Sequence, residues 1–137
     1  MKLETNNLIV NLTFEFASEI IELCENLESK RKFNLANQLF RSGTSIGANV
    51  FESQHAESRA DFIHILKISA KEANETKYWL MLCKHSKNYP DPDELLKKLE
   101  SIQKILTKII STSKSKIIKK QNIINQQVSL VNTLAQQ

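Results

Sequence analysis

The sequence has 137 residues, of which 41% are hydrophobic and 25% charged, and its formal net charge is +4. This length suits one domain with a single core, and two glycines and two prolines leave little material for the tight turns of a sheet. No apolar run approaches the roughly 18 residues that span a bilayer, and the N-terminus has no signal-peptide pattern. We therefore expect a cytoplasmic, helical protein without a membrane segment.

The first two predicted helices lie in the N-terminal half of the chain. A repeat of three and four residues, carried by Phe16, Ile20, Leu23 and Leu27, predicts a first helix that begins after Asn11 or Thr13, both acceptable caps. It should loosen near residues 29–32. A second helix is predicted over residues 34–55. It carries both glycines, Gly43 and Gly47, at a spacing that indicates close packing against a neighbouring helix.

Two further helices follow, separated by the clearest break in the chain. Ser58, with Asp61 three residues later, is a plausible cap for a helix that extends to about Lys87. Both prolines stand in residues 88–93, where a turn is expected. An apolar seam of alternating four- and three-residue steps then predicts a fourth helix, capped by Asp91 or Asp93 and weakened at residues 111–113.

Four amphipathic helices with short connections are read most simply as an all-α, antiparallel up-down-up-down bundle. We assign residues 1–120 to this single domain. Residues 121–137 form an extension rich in Gln and Asn, which is predicted to be partly helical or disordered. Cys24 and Cys83 stand far apart on helical segments, so they are interpreted as buried free thiols in a reducing compartment.

A polar row on the second helix is the first group that could carry chemistry. Its members recur at helical spacing and face two glutamates on the otherwise apolar face of the third helix; together they comprise Arg41, Ser45, Asn49, Glu52, Glu72 and Glu75. We interpret them as a structural polar seam with a buried ion pair that fixes helix register. A catalytic carboxylate pair is the weaker interpretation, because no nucleophile or phosphate loop accompanies it.

Two carboxylate–histidine pairs have a spacing that suggests a metal centre. Glu52-x-x-His55 and Asp61-x-x-His64 have the spacing found in di-iron bundles. Such a site needs two more inward carboxylates, and the first and fourth helices offer no obvious ones. We therefore expect no metal, no cofactor and no enzymatic activity.

The distribution of charge suggests a function in binding. Six acidic residues and one basic residue precede Lys30, whereas no acidic residue follows Glu100. The six lysines after Glu100 are typical of a surface that tracks phosphates without reading bases; they are Lys104, Lys108, Lys114, Lys116, Lys119 and Lys120. The alternatives are a solvated face, or an acidic first helix that meets the basic fourth helix of another subunit.

The polar row also carries a resemblance to a known family. The relevant segments are Arg41-x-x-x-Ser45-Ile46-x-Ala48-Asn49-x-x-Glu52, Phe62-x-x-x-Leu66 and Lys71-Glu72-Ala73-x-Glu75-Thr76-x-Tyr78-Trp79-Leu80. Over roughly residues 12–110 the chain resembles the bacterial four-helix-bundle proteins encoded in 23S rRNA intervening sequences. It is also similar to the accessory variability determinant proteins of diversity-generating retroelements.

The resemblance implies a small cytoplasmic bundle that assembles into a homo-oligomer, most simply a pentamer. In the retroelement branch it implies nucleic-acid binding and association with a reverse transcriptase. We thus expect a non-catalytic oligomer that binds RNA or DNA through its fourth helix. The alternatives are a structural or adaptor oligomer that binds a protein partner, and, more distantly, an enzyme or metal carrier.

Overall fold

A computed structural model describes residues 5–136 of the chain, so the first four residues of the polar N-terminal segment lie outside it. Its helices are α1 (Leu8–Ser29), α2 (Phe33–Ser53), α3 (Arg59–His85) and α4 (Asp93–Ala135). Within this range the structure contains no strand. None of its helices combines the length and hydrophobicity required for a membrane span.

The helices form the predicted four-helix bundle. Each helix packs on two others in the cyclic order α1, α2, α3 and α4, and the diagonal pairs do not approach within 8 Å between Cα atoms in residues 5–136. The short connections make sequential helices antiparallel. Two of the connections hold a residue with positive φ, Arg31 at 61° and Asn88 at 65°, where the chain reverses direction. The all-α up-down prediction is confirmed.

The core runs the length of the bundle and takes fully buried side chains from every helix. Phe16 and Ile20 come from α1, Leu39 and Ile46 from α2, Leu66 and Leu80 from α3, and Leu99, Ile102 and Leu106 from α4. The two cysteines are free and buried. Their thiols approach the carbonyl oxygens of Ala36 and Pro90, each at 3.3 Å.

The predicted start of α1 is wrong by at least four residues. The helix begins at Leu8 because Asn7 caps it: its side-chain oxygen accepts from the N–H of Val10 at 3.4 Å. Ile9 and Val10 are buried, so they belong to the core face of the helix. Thr13 lies inside the helix, where its hydroxyl donates to the carbonyl of Ile9 at 2.7 Å.

The two glycines of α2 let α1 approach closely, as their spacing indicated. A Cβ at Gly43 would lie 2.8 Å from a γ carbon of Ile20, and one at Gly47 would lie 3.0 Å from the backbone oxygen of Thr13. Both distances are shorter than ordinary van der Waals contact. The glycines therefore set the separation of α1 and α2.

The fourth helix continues far beyond the bundle. It has 43 residues, a length of about 64 Å, against 27 residues in α3. Ser113 is its last buried residue, and every described residue from 114 to 136 is exposed. No break occurs at residues 111–113. Residues 114–135 are called the α4 extension below.

Candidate nucleic-acid interface and the polar seam

Arg41 joins α2 to α3 through two carboxylates. One guanidinium nitrogen lies 3.5 Å from Glu72, and another is paired directly with Glu75. The Arg41 side chain is 50% exposed, so this ion pair lies at the edge of the helix interface and the expectation of burial is wrong. One carboxylate oxygen of Glu72 is shielded from solvent and accepts no hydrogen bond. It is the oxygen that lies 3.5 Å from the Arg41 guanidinium.

The other residues of the row do not bridge the two helices. The hydroxyl of Ser45 donates to the carbonyl of Arg41, and the Asn49 amide donates to the carbonyl of Ser45 at 2.8 Å, both within α2. Glu52 is exposed near the end of the helix. The buried bond between α2 and α3 is made elsewhere: the Ser69 hydroxyl donates to the carbonyl of Ile46 at 2.8 Å.

All six lysines of the predicted binding surface are exposed on α4. Lys104 is paired with Glu100 at 3.2 Å, one turn earlier. Among residues 5–136, the other five have no carboxylate within 4 Å. At about 100° per residue, all except Lys114 fall within an arc of about 160°. They form a broad basic row that begins on the outer side of the helix and, at Lys116 and Lys120, turns toward the face that is buried in the first part of α4.

An open cleft of about 410 Å³ lies where the N-terminal end of α3 meets α4. Its lining is largely apolar and includes three cationic and two hydroxyl-bearing residues; the lining residues are Arg59, Phe62, Lys108, Ile109, Thr112, Ser113 and Lys116. Cations and hydroxyl groups are the usual partners of phosphate oxygens. Arg59 is also the first residue of α3, where the helix dipole is positive. We call this feature the basic cleft.

A second cationic contact lies beside the basic cleft. The ammonium groups of Lys67 on α3 and Lys114 on α4 interact, and this contact is the main cause that lowers the pKa of Lys67. The basic surface thus includes Arg59 and Lys67, which sequence reasoning missed. Both belong to α3, and only the packing of α3 on α4 brings them beside the predicted lysines.

No metal centre is formed by the residues that suggested one. Across residues 5–136, no group of three or more His, Cys, Asp or Glu side chains is close enough to hold a metal ion.

The fold and surface define a class of all-α four-helix bundles with a basic face and a projecting C-terminal helix. The family described as 23S rRNA-intervening sequence protein matches residues 5–108. The chain belongs to this family.

A solved structure shows the same fold. It is the 1.70 Å crystal structure of a protein with unknown function from the S23 ribosomal protein family of Bacteroides thetaiotaomicron VPI-5482. That protein is 40% identical to this chain, with a TM-score of 0.72, over 75% of this chain and 98% of the other. The comparison with curated proteins finds no match. The family match ends at residue 108, so the α4 extension lies outside the matched residues.

Proposed function

We propose that this protein is a non-catalytic homo-oligomer that binds nucleic acid, either rRNA or retroelement RNA or DNA, through its lysine-rich fourth helix. The observation that carries the proposal is the basic cleft and the row of unpaired lysines that continues from it. Five of the six predicted lysines have no acidic partner among residues 5–136. Cations without partners can exchange their counterions for phosphates, which is the main source of non-specific affinity.

The dimensions of the basic surface suit a phosphate backbone. From Lys104 to Lys120 the helix rises about 24 Å, and a duplex carries one phosphate per about 1.7 Å of its axis. Several phosphates can therefore face the row at once. The lining of the cleft includes Arg59, Lys108 and Lys116. Because its lining contains no arrangement that reads base edges, binding should depend on salt and little on sequence.

The second candidate function is an oligomeric adaptor that binds a protein, such as a reverse transcriptase, without nucleic acid. Exposed aromatic side chains on α1 and α2 favour it, because monomeric proteins seldom leave large apolar patches uncovered. Phe14 and Phe51 line an open apolar groove there. This candidate predicts stable complexes at salt concentrations that abolish binding to RNA. Light scattering on the purified protein would test the oligomer, including the pentamer expected from the resemblance.

Fluorescence anisotropy with a labelled RNA duplex of arbitrary sequence, titrated at several salt concentrations, tests the main candidate. The double variant Arg59→Ala/Lys116→Ala should bind at least tenfold more weakly and reduce the slope of log K against log salt by about 2. The matched control is Lys77→Ala/Lys87→Ala, which removes the same charge from exposed positions outside the cleft.

No binding at low salt, or an equal loss in the control, would refute the proposed nucleic-acid function.

A further inference from the structure

The α4 extension presents one broad, largely apolar face that also contains Lys116, Lys120 and Gln127 and that nothing else in residues 5–136 covers. At about 100° per residue, seven apolar side chains fall within an arc of about 160°; they are Ile117, Ile123, Ile124, Val128, Leu130, Val131 and Leu134. All seven are exposed. The arc overlaps the positions of Leu99 and Leu106, which face the bundle core in the first part of the helix. An apolar stripe of this width is typical of a helix packed against other helices.

A matching surface lies on the outer side of α1 and α2. Five exposed apolar side chains share the outward faces of these two helices, namely Phe14, Ile21, Phe33, Phe40 and Phe51. Between the helices is a groove of about 490 Å³. Small residues such as Ala17 and Gly47 line it, and Phe14 and Phe51 lie beside them. A groove of small residues flanked by rings can receive the side-chain ridge of another helix.

The lengths of the two surfaces agree. The extension has 22 residues between positions 114 and 135 and is about 33 Å long. On α2, the exposed phenylalanines from Phe33 to Phe51 cover about 27 Å. One helix laid along the groove would therefore cover the whole row.

Two acidic side chains on α1 can pair with lysines of the extension, although Lys30, Arg31 and Lys32 add positive charge at the same end of the groove. Glu25 and Glu28 lie on the same outward side of α1 as Ile21, and no basic side chain among residues 5–136 lies within 4 Å of either. The extension carries all its lysines before residue 121 and no charge afterwards. Glu25 is 11 positions from Phe14, and Lys120 is 11 positions from Val131. The lysines can thus face the glutamates while the uncharged segment lies over the phenylalanines.

We propose that the α4 extension of one copy lies in the α1–α2 groove of a second copy. Parallel packing of extensions on each other is disfavoured, because it would place the four lysines of residues 114–120 from each copy at the same level. The contact joins different surfaces of two copies, so it is head-to-tail and closes into a ring or continues as a chain. It deepens the homo-oligomeric part of the proposed function, on which it rests.

The test combines two variants, each with a control, in light scattering of the full chain without nucleic acid. Ile124→Asp/Val131→Asp alters the extension, and Phe40→Asp/Phe51→Asp alters the groove at exposed positions that should not affect folding. Ile118→Asp is the control for the extension, because Ile118 is 59% exposed and lies outside the apolar arc. Tyr78→Asp on α3 is the control for the groove. Far-UV circular dichroism checks that each variant remains helical.

Both double variants should weaken self-association at least a hundredfold, and both controls should assemble like the parent. Mixing the two double variants is the decisive measurement. The intact extension of the groove variant can then bind the intact groove of the extension variant, so a 1:1 complex should form although neither variant assembles alone.

Three results would overturn the proposal: a monomeric parent, assembly that survives both double variants, or assembly lost in the extension variant alone. The last result would indicate that extensions pack on each other. RNA titration of the groove variant separates this outcome from the nucleic-acid function, since its substitutions lie on α2 and not among the lysines of α4. If RNA binding persists while assembly is unchanged, only the proposed contact fails.

Discussion

The close approach of α1 and α2 predicts how an alanine at position 43 would change stability. A Cβ there would lie 2.8 and 2.9 Å from the two γ carbons of Ile20 and 3.2 Å from its δ carbon, whereas carbon atoms pack best at about 3.5–4.0 Å. Ile20 is fully buried, so it can move only against a packed core. Such overpacking costs about 1–3 kcal/mol, and alanine recovers about 1 kcal/mol of helix propensity. We expect Gly43→Ala to lower the free energy of unfolding by up to about 2 kcal/mol.

The same substitution should have the opposite effect when Ile20 is removed. Ile20→Ala alone lowers the free energy of unfolding by about 2–5 kcal/mol, but it also deletes all three atoms that the new Cβ would meet. In that background Gly43→Ala should therefore stabilise the protein by up to about 1 kcal/mol. The coupling between the two sites would equal the overpacking cost, about 1–3 kcal/mol.

Urea unfolding of all four proteins, followed by far-UV circular dichroism, measures this coupling. The protein concentration must be fixed, because self-association shifts the apparent stability. If Gly43→Ala lowered the free energy of unfolding equally in both backgrounds, contact with Ile20 would not be the reason that position 43 requires glycine.

Three further predictions concern the interior and the edge of the bundle. Arg41→Met should lower the free energy of unfolding by at most about 1 kcal/mol, because Arg41 is half exposed; a loss of about 3 kcal/mol or more would instead indicate a buried pair. Ser69→Ala should cost about 1–2 kcal/mol in urea unfolding, because it removes the buried hydrogen bond to Ile46; an unchanged midpoint would contradict this. Burial raises the pKa of the Cys24 thiol from 9.0 to about 11. The folded state therefore keeps this proton to higher pH than the unfolded state, and the resulting stability is present below pH 9.0 and lost as pH rises to about 11. The free energy of unfolding of Cys24→Ala should therefore fall less than that of the parent between pH 9.0 and about 11. Identical dependence of the free energy of unfolding on pH in the two proteins would contradict this prediction.

The number and order of the helices could be predicted from the sequence, because each helix repeats its buried residues at intervals of three and four. The start of α1 could not be placed on that basis. The segment Leu8-Ile9-Val10 has no visible period of its own, and Asn11 and Thr13 are as acceptable as Asn7 for a cap. What decides the start is burial of Ile9 and Val10 against the other helices, which is a tertiary effect.

For the polar seam, the sequence predicts which charged residues pair across the α2–α3 interface, but it does not predict how exposed the pair is to solvent. Helical spacing correctly indicated that Arg41 would face Glu72 and Glu75 across the α2–α3 interface. The spacing could not show that this edge of the α2–α3 interface is exposed to solvent, because the pattern of one helix does not show how far the neighbouring helices cover it.

The basic cleft shows a similar limit. A charge count identifies the lysines of α4, but Arg59 and Lys67 join them only through packing of α3 on α4. An antiparallel pairing of these helices, anchored by the Lys84–Asp93 ion pair at one end, would have placed both residues near positions 110–118. Register was therefore the missing information.

The division of charge along α4 connects the two proposals. Lys116 lines the basic cleft and also belongs to the segment that would face Glu25 and Glu28 of a second copy. Nucleic acid bound to Lys116 removes part of the charge attraction between copies. RNA binding and self-association should therefore weaken each other. By linkage, each process lowers the affinity of the other by the same factor. Exposed ion pairs contribute at most about 1 kcal/mol each to the contact between copies. The apolar segment after residue 120 carries no charge, so bound RNA does not change its contribution. The expected coupling is therefore modest, about fivefold to tenfold in either affinity, so RNA should loosen the contact between copies without abolishing it.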